Sequence, residues 1–229
     1  MIYSVHQPHY LPYPGYLAKV ALSDAFVFLE GVQFVRREWQ NRNRIKGPAG
    51  EKWLTVPVKG VYGASIDTIE IDDSQEWRRK HVETLNRFYA RAPYLNELDG
   101  FAEVIGRGWG SLAELAIATT SHLLDRFAIT TPRSRMADYD NLPEEPNLRI
   151  IAIGKAIGAD VYLAGSGGRQ YMNLELFQAA GIEVRFFDPP SVSYPQLHGD
   201  FIPNLGGIDL LLNTGRSGFD THIRPQLRA

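Results

Sequence analysis

The densest run of chemically capable side chains is "HQPHYLPYPGY", His6 to Tyr16, close behind an apolar start. His6, Gln7, His9, Tyr10, Tyr13 and Tyr16 alternate with three prolines and end beside a glycine, so a stiff backbone carries many polar tips. Histidine titrates near neutral pH, and His6 and His9 are therefore candidates for acid/base work or for contact with a phosphate. Gln7 and the three tyrosines are candidate substrate contacts, and Lys19, a few residues on, adds a cation to that set. The plain alternative is a proline-stapled turn with surface histidines. The density of polar tips favours a segment that presents its side chains to a ligand.

A second polar run, "WQNRNRIK", sets Gln40, Asn41 and Asn43 among Arg42, Arg44 and Lys46, after Trp39. Guanidinium and amide groups together suit a phosphate or carboxylate and the hydroxyls of a sugar; a solvated edge strand would look similar. "GSGG", Gly165, Ser166, Gly167 and Gly168, can offer backbone N–H groups to an anion, or can be an ordinary tight turn. The run "SYPQLHGDF" before the last apolar segment either closes over a ligand or ties that segment down. His81 and His122 lack a partner at metal-ligand spacing, and no His/Asp/Glu set suggests a metal. The chain has no cysteine, which removes thiolate nucleophiles, disulfides and cysteine zinc sites. The residues name no cofactor.

These groups need a frame. The chain has 229 residues, 44% of them hydrophobic, and a formal charge of -2, which argues against a strongly basic face for nucleic acid while leaving room for a local patch. "MIYSV" reads as a buried strand, "PGYLAKVALS" as a helix with proline in its first turn, and "DAFVFLE" as a second strand. Such a parallel crossover unit places the loop after its first strand at the ligand-binding edge. "KWLTVPVKG" and "SIDTIEID" read as two strands of a hairpin around a glycine-containing turn. Helices are expected over about 76–89 and 112–127, and "DYDNLPEEPN" as a surface loop or hinge. A second crossover unit follows: helix "LRIIAIGKAIG", strand "ADVYLAG", the glycine-led loop running into a helix, and strand "IEVRFFD". "GGIDLLLNTG" makes a last helix. The expected architecture is one α/β domain over 1–229, with a mostly parallel Rossmann-like sheet, an inserted hairpin and a helical insertion at about 73–135. A first strand followed by two histidines and a helix N-terminus also parallels nucleotidyltransferase-like domains, although proline at position 8 hinders backbone approach to a phosphate. The start of the chain has no signal-peptide pattern and no apolar run spans a membrane, so the expected location is cytoplasmic, without membrane insertion.

Taken in order, "HQPHYLPYPGYLAK", "VQF", "WQNRNRIK", "WLTVPV", "KHVETL", "YARAPY", "VYLAGSGGRQYM" and "YPQLHGDFIPNLGGIDLLLNTG" resemble the landmarks of the WbqC-like proteins over nearly the whole chain. The resemblance adds Gln33, Lys59, His81 and Gln196 to the candidate substrate-binding residues. Tyr13 stands where that pattern often carries a tryptophan. These bacterial proteins are associated with surface-polysaccharide loci of the O-antigen and lipopolysaccharide type. The resemblance therefore implies glycan biosynthesis, and a transferase placing an acyl or aminoacyl group on a nucleotide-activated amino sugar. In that reading His6 or His9 is the catalytic base or phosphate contact. The partners are a nucleotide sugar and an activated acyl or aminoacyl donor, with a charged tRNA as a further candidate donor. An ATP-dependent nucleotidyl- or adenylate-forming enzyme, and a non-catalytic sugar-nucleotide or partner-binding module, remain as alternatives.

Overall fold

A computed structural model describes residues 1–59 and 63–228. Five strands, β1 (Ile2–His6), β2 (Ala25–Phe28), β7 (Arg133–Arg135), β8 (Val161–Gly165) and β9 (Glu183–Phe187), form one sheet in the order β7-β2-β1-β8-β9. Every pairing in it is parallel. Counted along the chain, these strands run third, second, first, fourth, fifth, which is the doubly wound order whose switch point lies between the first and fourth. The fold is α/β and Rossmann-like, as the two crossover units predict.

Side-chain alternation on the strands builds the two layers. Tyr3, Val5 and Val27 join Ile151 and Ile153 of α5 (Pro146–Ala156) and Phe177 of α6 (Leu174–Ala179) in one core. Phe26 and Phe28 point the other way. They join Leu17 and Val20 of α1 (Pro14–Ala21), Leu115 and Leu123 of α4 (Leu112–Arg126), and Leu210–Leu212 of α7 (Gly207–Thr214). α1 starts on a proline whose missing N–H costs nothing in the first turn.

Between β2 and β7 the chain adds strands β3 (Arg42–Gly47) to β6 and helices α2 (Trp77–Phe88), α3 (Glu97–Gly106) and α4. α3 and β7 were not expected. α3 carries Gly100 and a half-polar face that dilute its periodicity. β7 is the polar tripeptide Arg-Ser-Arg, recruited to the sheet edge by the buried carboxylate of Glu30, which accepts from Arg135 Nε (3.1 Å) and from the Met136 N–H (3.1 Å). The expected hairpin is also corrected. β4 (Gly50–Thr55) pairs antiparallel with β3, the "RNRIKG" run, while only β5 (Val58–Lys59) and β6 (Glu70–Ile71) link the two segments that were to form it. Part of the expected turn, residues 60–62, lies outside the described residues, and Ile66–Thr68 is a short 3-10 turn. Among the described residues no helix is long and apolar enough to cross a membrane.

Candidate functional site

The loop after β1 and the loop after β8 meet at the switch point, where they line a crevice of about 300 Å³. His6, Gln7 and Lys19 come from one side. Gly165, Gly167, Gly168 and Tyr171 come from the other, with Tyr162, Leu29 and Ile150 completing the wall. Among the described residues no carboxylate lines it.

His6 is half-buried, and its Nδ1 lies 3.0 Å from the Gln7 carbonyl. A carbonyl can only accept, so Nδ1 carries the proton and Nε2 keeps its lone pair. Burial, then the nearby Lys19 ammonium and His9, hold the His6 imidazolium well below the usual histidine range. Lys19 reaches the site from the last turn of α1 and is buried; its Nζ donates to the Val5 carbonyl at 3.1 Å, and burial pushes it down to about 7. Burying a lysine without a carboxylate is costly, and an anion entering the crevice would offset that cost. Gln7 is aligned by Gln40, whose Nε2 donates to Gln7 Oε1 at 2.7 Å, and its carbonyl also accepts from the Tyr16 hydroxyl at 3.2 Å.

The glycine turn contributes open backbone. A Cβ at Gly165 or Gly167 would meet no atom within 4 Å, and neither residue has positive φ, so neither packing nor conformation requires glycine there. Gly168 is different, because a Cβ would come within 2.8 Å of the Met172 sulfur. Ser166 lies in the same 3-10 turn, Ser166–Gln170, and is exposed. The glycine turn borders the crevice and forms a 3-10 turn rather than leading directly into α6.

The rest of the opening loop departs from expectation. Pro8, His9, Tyr10, Leu11, Pro12, Pro14 and Tyr16 are buried, so most of the run is inside the protein. The His9 ring packs 4.8 Å from His6 and 5.2 Å from Tyr16, and burial, aided by Lys19, pushes it down to about 3. His9 therefore backs the crevice as a neutral ring. The Tyr10 hydroxyl meets His81 Nδ1 at 2.9 Å in the core. The four successive carbonyls from His9 to Pro12 each have a donor: Thr120 Oγ1 for His9 (3.0 Å), Asn43 Nδ2 for Tyr10 (3.1 Å) and Leu11 (2.7 Å), and the Gly207 N–H for Pro12 (2.8 Å). These bonds hold Leu11 at φ 50, a left-handed conformation rare for leucine. A Cβ at Gly206 or Gly207 would fall 2.9 Å from the Leu11 or Pro12 carbonyl oxygen, so glycine is needed for α7 to dock there.

The "WQNRNRIK" run is thus divided. Gln40 supports Gln7; Asn43 clamps the loop, and Asn41 Nδ2 donates to the Val56 carbonyl (2.9 Å). Arg42, Arg44 and Trp39 gather with Trp53 on the β3–β4 hairpin and do not line the crevice. Tyr13 lies in a separate cavity with Trp39, Arg44 and Asn204. Gln33 and Lys59 are exposed, and His81 is a core residue pushed down to about 4 by burial. Gln196 donates to Asp209 Oδ2 and to the Ile202 carbonyl, both at 3.0 Å, so the run before α7 ties that helix down. The first residues of α1, Pro14 and Gly15, line another cavity against Pro189 and Pro190, so the helix N-terminus takes no part in the crevice. Tyr162 was missed because a strand tyrosine in an apolar run carries no local sign of facing a cavity. Among the described residues, no group of His, Asp and Glu could hold a metal.

A doubly wound parallel sheet, with a lysine-containing, glycine-bordered crevice at its switch point, defines a Rossmann-like α/β protein. Residues 7–221 match the WbqC-like protein family, and the chain belongs to it. It is also similar to the uncharacterized protein Rv1507c of Mycobacterium tuberculosis, 30% identical over 222 residues that cover 95% of each chain. No solved structure matches it.

Proposed function

We propose that the crevice binds the phosphate portion of a nucleotide-activated amino sugar, and that the chain is a transferase placing an acyl or aminoacyl group on that sugar's amine during surface-polysaccharide assembly. One observation carries the reading: His6, the buried Lys19 and the open backbone of Gly165 and Gly167 converge on one carboxylate-free space. Lys19 and the glycine N–H groups attract the anion, and the free Nε2 of His6 takes a proton. The amine nitrogen forms a bond to the donor's carbonyl carbon, the bond from that carbon to its leaving group breaks with its electron pair, and the amine proton passes to His6. The polysaccharide setting follows from the family resemblance. The nucleotidyl-transfer alternative gains no support from α1, whose N-terminus opens onto other residues.

The test is calorimetric titration of UDP- and dTDP-amino sugars into wild type and His6→Ala, followed by mass analysis of the sugar after adding coenzyme A esters or charged tRNA. Binding by both proteins, with acylated product from wild type alone, is the expected result. A sugar bound but recovered unchanged with every donor would leave a binding module. No binding by either protein would remove the reading altogether.

A further inference from the structure

Outside the crevice, the face of the β3–β4 hairpin and α2 gathers aromatic and cationic groups. Trp53 is 39% exposed, Arg42 lies 4.0 Å over its ring, and Trp39 is 5.4 Å away across a tilted contact. Arg44 lies 5.5 Å over Trp39 and opens onto a cavity with Tyr13 and Asn204. On the other side of Trp53, a groove of about 410 Å³ runs between β4 and α2. Its walls carry Lys52, Lys80 and Arg87 together with Thr55, Thr84 and Gln75, and among the described residues no carboxylate lines it. Arg44 is neutralised by Glu51 (2.7 and 2.9 Å), which leaves it a stacking role. Lys52, Lys80 and Arg87 make no ion pair among the described residues.

We infer that this belt is a binding site for single-stranded RNA. A part-exposed tryptophan with an arginine stacked on its ring, beside unpaired cations, suits unstacked bases on a phosphate backbone. Thr55, Thr84 and Gln75 add hydroxyl and amide groups within reach of ribose 2′-hydroxyls. The six residues of β4 extend about 20 Å at roughly 3.3 Å each, enough for a few nucleotides rather than one. A duplex would hide the base faces that Trp53 needs. The chain's formal charge of -2 restricts the attraction to this face, so three cations should give a log–log salt slope of about -2. The RNA site stands without the transferase reading. With that reading, it also gives the single-stranded end of a charged tRNA donor a place to dock.

Fluorescence anisotropy of a labelled eight-nucleotide RNA with the intact protein, at about 50 and about 200 mM salt, tests it. Wild type should bind with the stated salt slope, and Trp53→Ala should weaken binding about tenfold or more, as the loss of one base stack requires. The pair Lys80→Glu with Arg87→Glu should do the same, and keeps the test open if Trp53→Ala does not fold. His6→Ala should bind the RNA like wild type, which separates this site from the crevice. The inference is overturned if wild type does not bind, if the belt variants bind as tightly as wild type, or if the duplex of the same sequence or UMP binds as tightly as the strand.

Discussion

His6 and Gln7 face a crevice, whereas Tyr10 and Leu11, a few positions further along the same loop, are bound into the core by Asn43 and His81. Both stretches are rich in polar groups, yet they answer different needs. A buried loop has carbonyls that must find donors, and Asn43, Thr120 and the N–H of Gly207 supply them. At the crevice, by contrast, the Lys19 ammonium has a carbonyl and no carboxylate as its partner, and neither packing nor conformation requires the glycines at 165 and 167. Polar groups that complete one another belong to the clamp. Polar groups held apart from partners of opposite charge belong to the proposed site.

The largest effect that can break this contrast lies at Asp209, in the buried network that ties down α7, the helix whose first N–H holds the Pro12 carbonyl. Its carboxylate, fully buried on α7, accepts from the hydroxyls of Tyr89 and Tyr194 (2.7 Å for the latter) and from Gln196. Asp209→Ala leaves the buried hydroxyl donors of Tyr89 and Tyr194 unpaired, at roughly 1–3 kcal/mol each, and removes one of the two acceptors of Gln196. Urea unfolding should show a loss of about 4 kcal/mol or more, with Asp209→Asn intermediate. A loss under about 1 kcal/mol would mean that the network adds little and that Gln196 is free for another task.

Asn43→Ala comes next. It strips donors from the Tyr10 and Leu11 carbonyls and an acceptor from the Arg44 N–H (2.8 Å), so the expected cost is about 2–3 kcal/mol. Because Leu11 is held at positive φ by these bonds, the loop should relax and His6 should shift. Ligand affinity in the crevice should then fall together with stability. Unchanged affinity in a destabilised variant would show that the two ends of the loop are mechanically independent.

The contrast also explains what could be read in advance. Periodicity and proline placement revealed β1, α1, β2 and the second crossover unit, because each buries an alternating or helical apolar face. β7 stayed hidden since its strand character depends on Glu30, 105 residues away. "HQPHYLPYPGY" and "GSGG" were recognisable as loops after strands, and the sheet order brings both to one crevice. Which of their polar groups face it was not legible. Asn43 and His6 look equally chemical in the sequence, and only the position of backbone carbonyls tells a clamp from a ligand contact.

Lys19→Met sharpens the crevice side. Lys19 is pushed from its ordinary value near 10.5 to about 7, so between these pH values the unfolded chain holds a proton that the folded chain has released. Stability therefore rises with pH across that window, by about 1.4 kcal/mol per unit from this group, and the penalty is full below pH 7. The stability of wild type relative to Lys19→Met should thus climb by about 2 kcal/mol between roughly pH 7 and 8.5. Saturating phosphate or nucleotide should flatten that climb by restoring the charge on Lys19. A flat difference without ligand would place Lys19 in contact with water or a counter-charge. His9 acts in the acid range with the same sign: its folded value of about 3 makes stability fall as pH drops below 6.5.

The smallest effect on stability and the most selective one on binding should come from Gly165→Ala and Gly167→Ala. An added methyl at either position meets no protein atom within 4 Å, and neither backbone lies at positive φ. Melting and urea unfolding should move by no more than about 0.5 kcal/mol, as for surface changes. The methyl would nonetheless project where backbone N–H groups approach an anion, so affinity for a nucleotide sugar should fall while that of the RNA belt stays. Gly168→Ala is the internal control, because its Cβ collides with Met172 and should cost stability first. If Gly165→Ala and Gly167→Ala bound the nucleotide sugar as wild type does, the anion would have to approach from the His6 and Lys19 side alone. The glycine turn would then be a tight turn and nothing more.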